Sequence, residues 1–322
     1  MNTNKAAGSD DIHPTLIFNL RNQLVEPLTK IFKESIGMCV IPTDWKDANV
    51  TPVYKKKGDR KQPGNYRPIS LTSQIGKLLE KLVKQQLMEH LELGGFLKKS
   101  QHGFRVGRST QSNLIEYTED LFEDLDRGAC IDVVYMDLQK AFDKVPHNRL
   151  IVKLKRSGIG GKLLEWLKEW LANRQQRVCY KKQLSGNIKV LSGVPQGSVL
   201  GPTLFLVYIN DLEEGLKGNV YKFADDTKLK GIVNRKTGLS TLHEDLKKIE
   251  TWASLWQMPF NTEKCCVMHL GNGNPNLKYY LNGSELKTSN EKKDLGVLIT
   301  NDLSFSIQCA VMQLNRQIKF RD

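Results

Sequence analysis

Apolar side chains recur at helical spacing over residues 75–91, where Ile75, Leu78, Leu79, Leu82, Val83, Leu87, Met88 and Leu91 form one stripe. Spacing of three and four predicts an amphipathic helix packed on a core. Ser109 and Thr110 offer an N-cap for a second helix carrying Leu114, Leu121, Phe122 and Leu125 and ending near Gly128. The period then changes. "IDVVYMD" (131–137) is short and β-branched, which predicts a buried strand. Residues 161–173 read as a helix, and 175–194 as a hairpin reversing at Ser185-Gly186. A helix is expected after Gly197-Ser198, running to about Leu216. "NVYKFADDTKLKGIV" (219–233) then predicts strand, tight turn, strand. An amphipathic helix over 239–257 and strands at "CCVMHL" and "DLGVLI" complete the pattern.

These elements lack the regular βαβα rhythm and Gly-rich loop of a doubly wound nucleotide-binding sheet. An α+β fold is expected instead, an antiparallel sheet covered by helices on one face. The first 110 or so residues read as mostly helical with one Lys-rich loop, and a boundary near 110–130 is expected. A chain of 322 residues exceeds what one simple core usually holds, so two or more subdomains sharing an interior are predicted.

Composition adds a partner to this picture. Hydrophobic content of 39% with 8% aromatics belongs to a folded chain rather than a disordered one. Lys and Arg exceed Asp and Glu, 48 against 35, for a net charge of +13. That excess points to a polyanion, nucleic acid first and an anionic membrane surface second. The six cysteines show no CxxC pair and no His at zinc spacing, as expected of reduced thiols. The N-terminal residues lack the apolar core of a signal peptide. The longest apolar run, 199–209, is too short to span a bilayer and contains Gly201 and Pro202. A soluble intracellular protein of the nucleus or cytoplasm, without membrane association, is expected.

The chemistry concentrates in carboxylates. Asp137 closes a buried strand, which is costly without a cation or several donors. Asp225 and Asp226 adjoin each other in the expected hairpin turn, where they are either a solvated tip or half of a metal site. If the two strands are neighbours, three carboxylates meet at one sheet edge, a set suited to hard divalent cations. Between them lies "SGVPQGSVLGP" (192–202), a rigid loop in which Gly193 and Gly197 permit close backbone approach and Gln196 can hydrogen-bond a base edge or sugar. The loop 54–67 carries six basic residues against one Asp59 and reads as either a solvated surface or a triphosphate contact.

The order hydrophobic-Asp-x-x-x-Ala-Phe, Gly-Val-Pro-Gln-Gly-Ser, Phe-Ala-Asp-Asp resembles reverse transcriptases, most closely those of non-LTR retrotransposons of the jockey and chicken-repeat type. "NYRPISLTSQIGKLLEKLV" (65–83), "QHGFRVGRST" (101–110), "LFLVYINDLEEGL" (204–216) and "EKKDLGVLIT" (291–300) are also similar to segments of that family, in the family's order. The resemblance implies a right-hand polymerase with helical fingers over residues 1–130, onto which part of 150–185 packs. A palm over 131–300 and a truncated start of a thumb over 301–322 would follow. It implies RNA-templated addition of dNTPs to a DNA primer, with two Mg²⁺ or Mn²⁺ ions held by Asp137 and Asp225 and supported by Asp226. Phe142 corresponds to an aromatic gate against the ribose 2′-hydroxyl, and Gln196 and Gly197 would border the incoming nucleotide and template base. Lys264 matches a lysine proposed to protonate pyrophosphate, and residues 294–297 match a primer-gripping hairpin. Arg67 first and Lys56 second are expected on the triphosphate, and Arg105 and Arg108 on the template backbone.

Set against the family, the chain reads as an isolated reverse-transcriptase region without the preceding endonuclease and with only a stub of thumb. The alternative is a catalytically weak or inactive remnant that only binds RNA. An RNA-dependent RNA polymerase is disfavoured by Phe142 and Ala224. Trp252 and Trp256, four apart on one helix, are expected in the core.

Overall fold

The computed structural model describes residues 2–56, 58–181, 183–234 and 239–304. Within it the chain forms two compact units, residues 1–97 with 140–210, and residues 98–139 with 211–322.

The first unit contains the strand pair Asp47–Tyr54 and Tyr66–Thr72, antiparallel with Val50 opposite Ser70. These strands stand where mostly helix was expected, and two prolines explain the masking. Pro52 and Pro68 face each other across the pair. The parallel neighbour Gln175–Tyr180 is paired only as far as Val50, so proline's missing donor falls at a local edge. The hairpin after Gln175 reverses between Tyr180 and Gln183 rather than at Ser185-Gly186. Ser185 stays in register instead, its N–H donating to Val178 O at 2.9 Å and its Oγ accepting from Val178 N at 2.9 Å.

Helices supply the unit's core. Gln74–Leu93 buries Leu79, Val83, Leu87, Met88 and Leu91 of the stripe read from the sequence and half-buries Ile75 and Leu78, but leaves Leu82, expected in the stripe, exposed. Gly201–Ile209 is buried at every position but Pro202, as a uniformly apolar helix must be, and passes into a short 3-10 segment at Asn210–Glu213. Glu80, 3% exposed, ties these helices to Gly161–Leu171. Its carboxylate accepts from Trp170 Nε1 at 3.0 Å and from the backbone N–H groups of Val199 and Leu200 at 2.7 and 3.2 Å. Those two donors precede the Gly201–Ile209 helix, where backbone N–H groups lack helical partners and favour an anion.

The second unit is built on a sheet ordered Lys287–Thr288, Cys266–Leu270, Cys130–Met136, Asp226–Asn234, Asn219–Phe223. The first pair is parallel and the rest are antiparallel. Cys130–Met136 is buried throughout. Its alternate residues Ile131, Val133 and Tyr135 form one cluster with Tyr117 and Leu121 of the helix Thr110–Asp126. Helices cover both faces, not one. Gly231, paired with Asp132 on the opposite face, lies so close to Leu242 of the helix Leu242–Trp256 that an added Cβ would meet that side chain at 2.6 Å. Trp252 and Trp256 are buried, as expected. "DLGVLI" is two strands, Glu291–Asp294 and Val297–Thr300, joined through Leu295 and Gly296 at φ 45° and 97°, the conformation a two-residue type I′ turn requires. Most of the expected thumb segment, 305–322, lies outside the described residues.

Replacing Glu80 with alanine leaves buried donors unpaired and should lower unfolding free energy by about 3 kcal/mol. Denaturant unfolding measures this; a loss below about 1 kcal/mol would show that Glu80 is not the tie described.

Candidate active site

The strand Cys130–Met136 ends its pairing with the neighbouring strand at Met136 opposite Thr227, so Asp137 continues beside Asp226. Phe223 pairs with Asp226, which leaves Ala224 and Asp225 as the two turn residues. Asp225 therefore sits at the hairpin tip and Asp226 at the first strand position after it. The sheet brings to one edge the three carboxylates that the sequence singled out.

A loop fixes Asp137 from the other side. Asn261 N donates to Asp137 O at 2.7 Å, Gln139 N to Pro259 O at 2.9 Å, and Asp137 N to Cys265 Sγ at 3.4 Å. The same loop carries Lys264, whose Nζ lies 2.8 Å from Asp137 Oδ2. Oδ2 is shielded from water and receives no directed hydrogen bond, so the lysine compensates its charge by proximity alone.

Ionisation reflects the crowding. Desolvation first, and then the Asp137 charge, raises the Asp225 carboxyl above its ordinary value. Asp226 is pushed up to about 6 by desolvation, followed by Asp225, Asp294 and Asp137. Asp226 is exposed, so solvent screens these charges.

Beneath the carboxylates the hairpin strands bury three lysines, Lys222 at 0%, Lys228 at 4% and Lys230 at 3% exposure. Each is paired with a carboxylate from a different element. Lys222 lies 2.9 Å from Glu213, Lys228 2.6 Å from Asp294, and Lys230 2.5 Å from both Asp120 and Asp124. Lys228 also donates to Asn113 Oδ1 at 2.8 Å and lies over the Tyr117 ring at 4.4 Å. Strand alternation places Lys228 on the face of Asp226, so the 291–294 strand is anchored two residues from that carboxylate. Burial lowers the Lys222 and Lys228 pKa values, and their carboxylate partners oppose the shift.

Lys56, Arg67, Phe142, Gln196 and Gly197 lie in the first unit. Lys56 and Arg67 are exposed, the former in the loop joining the Asp47–Tyr54 and Tyr66–Thr72 strands and the latter on the second of them. Phe142 stacks on Phe205 with ring centroids 4.7 Å apart, and its carbonyl accepts from Val194 N at 2.8 Å. Gln196 O accepts from Ser70 N at 2.7 Å. Gly197, at φ 121°, passes so close to Ser70 that a Cβ would lie 2.5 Å from its carbonyl oxygen, which requires glycine. Arg105 and Arg108, expected on a template, are engaged by the protein. Arg105 donates to Lys98 O at 2.7 Å, and Arg108 to His102 Nε2 at 2.9 Å.

Among the described residues no three His, Cys, Asp or Glu side chains close into a metal-ligating group. The expected ligand set is therefore gathered at one sheet edge without being drawn into coordination geometry. Its chemistry nevertheless fits a hard divalent cation. The donors are all carboxylate oxygens, Asp137 Oδ2 is screened and without a hydrogen bond, and Asp225 and Asp226 are destabilised as anions. Lys228 and Gln101 were not singled out in the sequence, and Asp294 was expected in a primer-gripping hairpin rather than as the partner of a buried lysine. The period-2 pattern 226, 228, 230 carried a signal for the first, because lysines on a buried face require partners.

The chain matches the family model described as reverse transcriptase (RNA-dependent DNA polymerase) over residues 54–299. It is 30% identical over 317 residues to the RNA-directed DNA polymerase from mobile element jockey of Drosophila melanogaster, covering 94% of this chain and 34% of that protein. It is 28% identical over 313 residues to the probable RNA-directed DNA polymerase from transposon X-element of the same organism, with the same coverage. The chain thus spans about a third of the length of these relatives. A structure of apo telomerase from Candida tropicalis, truncated from its C-terminal domain, shares the fold with a TM-score of 0.52 at 13% identity. The match covers 87% of this chain and 59% of that one.

Substituting Lys228 with methionine strands Asp294 as a buried charge and should cost about 3–5 kcal/mol in denaturant unfolding. Adding Asp294→Leu should recover most of that loss. A double variant no more stable than the single one would refute the pairing as the source of the cost.

Proposed function

The chain belongs to the reverse transcriptase (RNA-dependent DNA polymerase) family, and on that premise we propose that it adds dNTPs to a DNA 3′-end on an RNA template, as part of a non-LTR retrotransposon. The observation that carries this reading is the meeting of Asp137, Asp225 and Asp226 at one sheet edge, on neighbouring strands and the turn between them.

Asp137 and Asp225 would hold the divalent ions, Mg²⁺ or Mn²⁺, with Asp226 as the supporting carboxylate. Two such ions supply activation of a 3′-hydroxyl and charge stabilisation of departing pyrophosphate. The chain's own residues do the rest. The 258–265 loop holds Asp137 through its backbone and places the Lys264 ammonium beside it, from where Nζ can deliver a proton to a pyrophosphate oxygen. Phe142, backed by Phe205, is a rigid plane suited to excluding a ribose 2′-hydroxyl. Arg67, with its planar fork, and Lys56 would bind the triphosphate. Gln196 and Gly197 border the nucleotide and template base in this reading, and the net charge of +13 suits a nucleic-acid partner. No described helix is long and apolar enough to cross a membrane. We place the protein inside the cell, in the nucleus or cytoplasm, in keeping with the free thiols of Cys39, Cys130, Cys179, Cys265 and Cys266.

Primer extension on poly(A)/oligo(dT) with Mg²⁺ and dTTP tests the reading. The wild-type chain should extend, and Asp225→Ala should lower the rate by about 100-fold or more. Failure of the wild-type chain to extend, with salt-sensitive RNA binding intact in both proteins, would replace the polymerase with an RNA-binding remnant.

The same assay with UTP examines the gate. Phe142→Val should narrow the preference for dTTP over UTP by about tenfold. An unchanged preference would remove Phe142 from that role.

A further inference from the structure

The segment "QHGFR" resembles its counterpart in the family, yet the reaction as described gives Gln101 nothing to do. Its side chain is 2% exposed and reaches the catalytic turn. Gln101 Oε1 accepts from Ala224 N at 2.8 Å and from Gly103 N at 2.7 Å, and Gln101 Nε2 donates to Ala224 O at 3.3 Å. One carboxamide thus grips both backbone polar groups of the residue before Asp225. Two N–H donors converging on one atom identify that atom as the amide oxygen.

Ala224 needs such a grip. Its φ is 55°, in the left-handed region that a residue with a Cβ populates rarely. Strain of this kind persists only where surrounding structure over-determines the backbone. The surroundings do so here. His102 N donates to Lys222 O at 2.8 Å and Lys222 N to Ser100 O at 2.9 Å, so residues 100–102 run as a parallel bridge beside the strand leading into the turn. Arg105 Nη1 donates to Gln101 O at 3.3 Å, which anchors the glutamine's own backbone. At Gly103 a Cβ would fall 2.3 Å from Ala224 N, so only glycine admits this approach. Lys222, fully buried and paired with Glu213, fixes the residue that both bonds address.

We propose that Gln101 is a positioning residue, whose carboxamide locks Ala224 in the left-handed conformation and thereby aims the Asp225 carboxylate. The role rests on the polymerase reading, because it concerns placement of a carboxylate for that reaction. Gln101→Leu removes every bond of the clamp at similar volume. Misplacing a reacting group by about an ångström costs on the order of 100-fold, so primer extension should lose about 10- to 100-fold in kcat. KM for dTTP should move by less than about threefold, since the nucleotide contacts are untouched.

A second background separates aiming from folding. Glycine adopts φ 55° without strain, so in an Ala224→Gly chain the clamp has less to hold. There Gln101→Leu should cost less than about fivefold relative to its own parent, an interaction between sites of the kind a double-mutant cycle measures. A structural requirement for Gln101 would give the same loss in both backgrounds. Amide hydrogen exchange adds a readout that needs neither metal nor nucleotide. The Ala224 N–H should exchange about tenfold faster in Gln101→Leu. If that variant does not fold, Gln101→Met, closer in shape to glutamine, takes its place with the same expectations.

Unchanged kcat, equal losses in both backgrounds, or unchanged exchange at Ala224 would each overturn the proposal. Failure of the wild-type chain to extend a primer would instead overturn the polymerase reading, and this role with it.

Discussion

Charge burial governs the second unit. The hairpin Asn219–Asn234 carries Asp225 and Asp226 at the turn and three buried lysines along the strands below. A lysine removed from water without a partner costs several kcal/mol, so each requires a carboxylate in a fixed place. Those carboxylates come from the 3-10 segment (Glu213), the strand Glu291–Asp294 and the helix Thr110–Asp126. Satisfying the lysines therefore fixes the elements around the hairpin. The result is a rigid mount for acidic groups that repel one another. Pre-organisation of this kind suits a site whose chemistry consists of placing charge rather than of making covalent bonds to the protein.

The same logic explains the division of labour around Asp137. Its backbone is tied to the 258–265 loop, its Oδ2 is shielded from water, and the Lys264 ammonium lies beside that oxygen. Lys264 is largely exposed and so is free to exchange partners at little cost, unlike the buried lysines beneath. The fixed lysines serve structure and the exposed one is available for chemistry. The first unit shows the contrasting pattern. Its Gly-Pro-Gln loop is held by backbone contacts to Ser70 and Phe142, and Phe142 is backed by Phe205, so the residues assigned to nucleotide contact stand on a hydrogen-bonded and aromatic support.

Much of this was legible in the sequence, for identifiable reasons. The helix from Gln74 to Leu93 and the buried strand ending before Asp137 follow from hydrophobic period alone. The carboxylates were legible because they interrupt apolar strands at their ends, where an unexplained charge demands a partner. What was hidden depends on non-local pairing. The strand pair 47–54 and 66–72 was masked by Pro52 and Pro68, the first tolerated because the neighbouring strand stops pairing at Val50 and the second because its strand is the edge of the sheet. The partner of Lys228 lies 66 residues away, and Gln101 reaches Ala224 across 123 residues. No local propensity encodes either contact. The second helical layer on the sheet was missed for a related reason, since a strand buried on both faces, as Cys130–Met136 is, shows that both faces are covered without saying by what.

Uptake of divalent cations at the acidic edge of the sheet is the central claim to test. Anomalous diffraction from crystals of the protein soaked in Mn²⁺ would locate them directly. A peak is expected within coordinating distance of the Asp137 and Asp225 carboxylates, lost in Asp225→Ala. Manganese peaks confined to other acidic surfaces, or a peak at Asp137 that persists in Asp225→Ala, would contradict it.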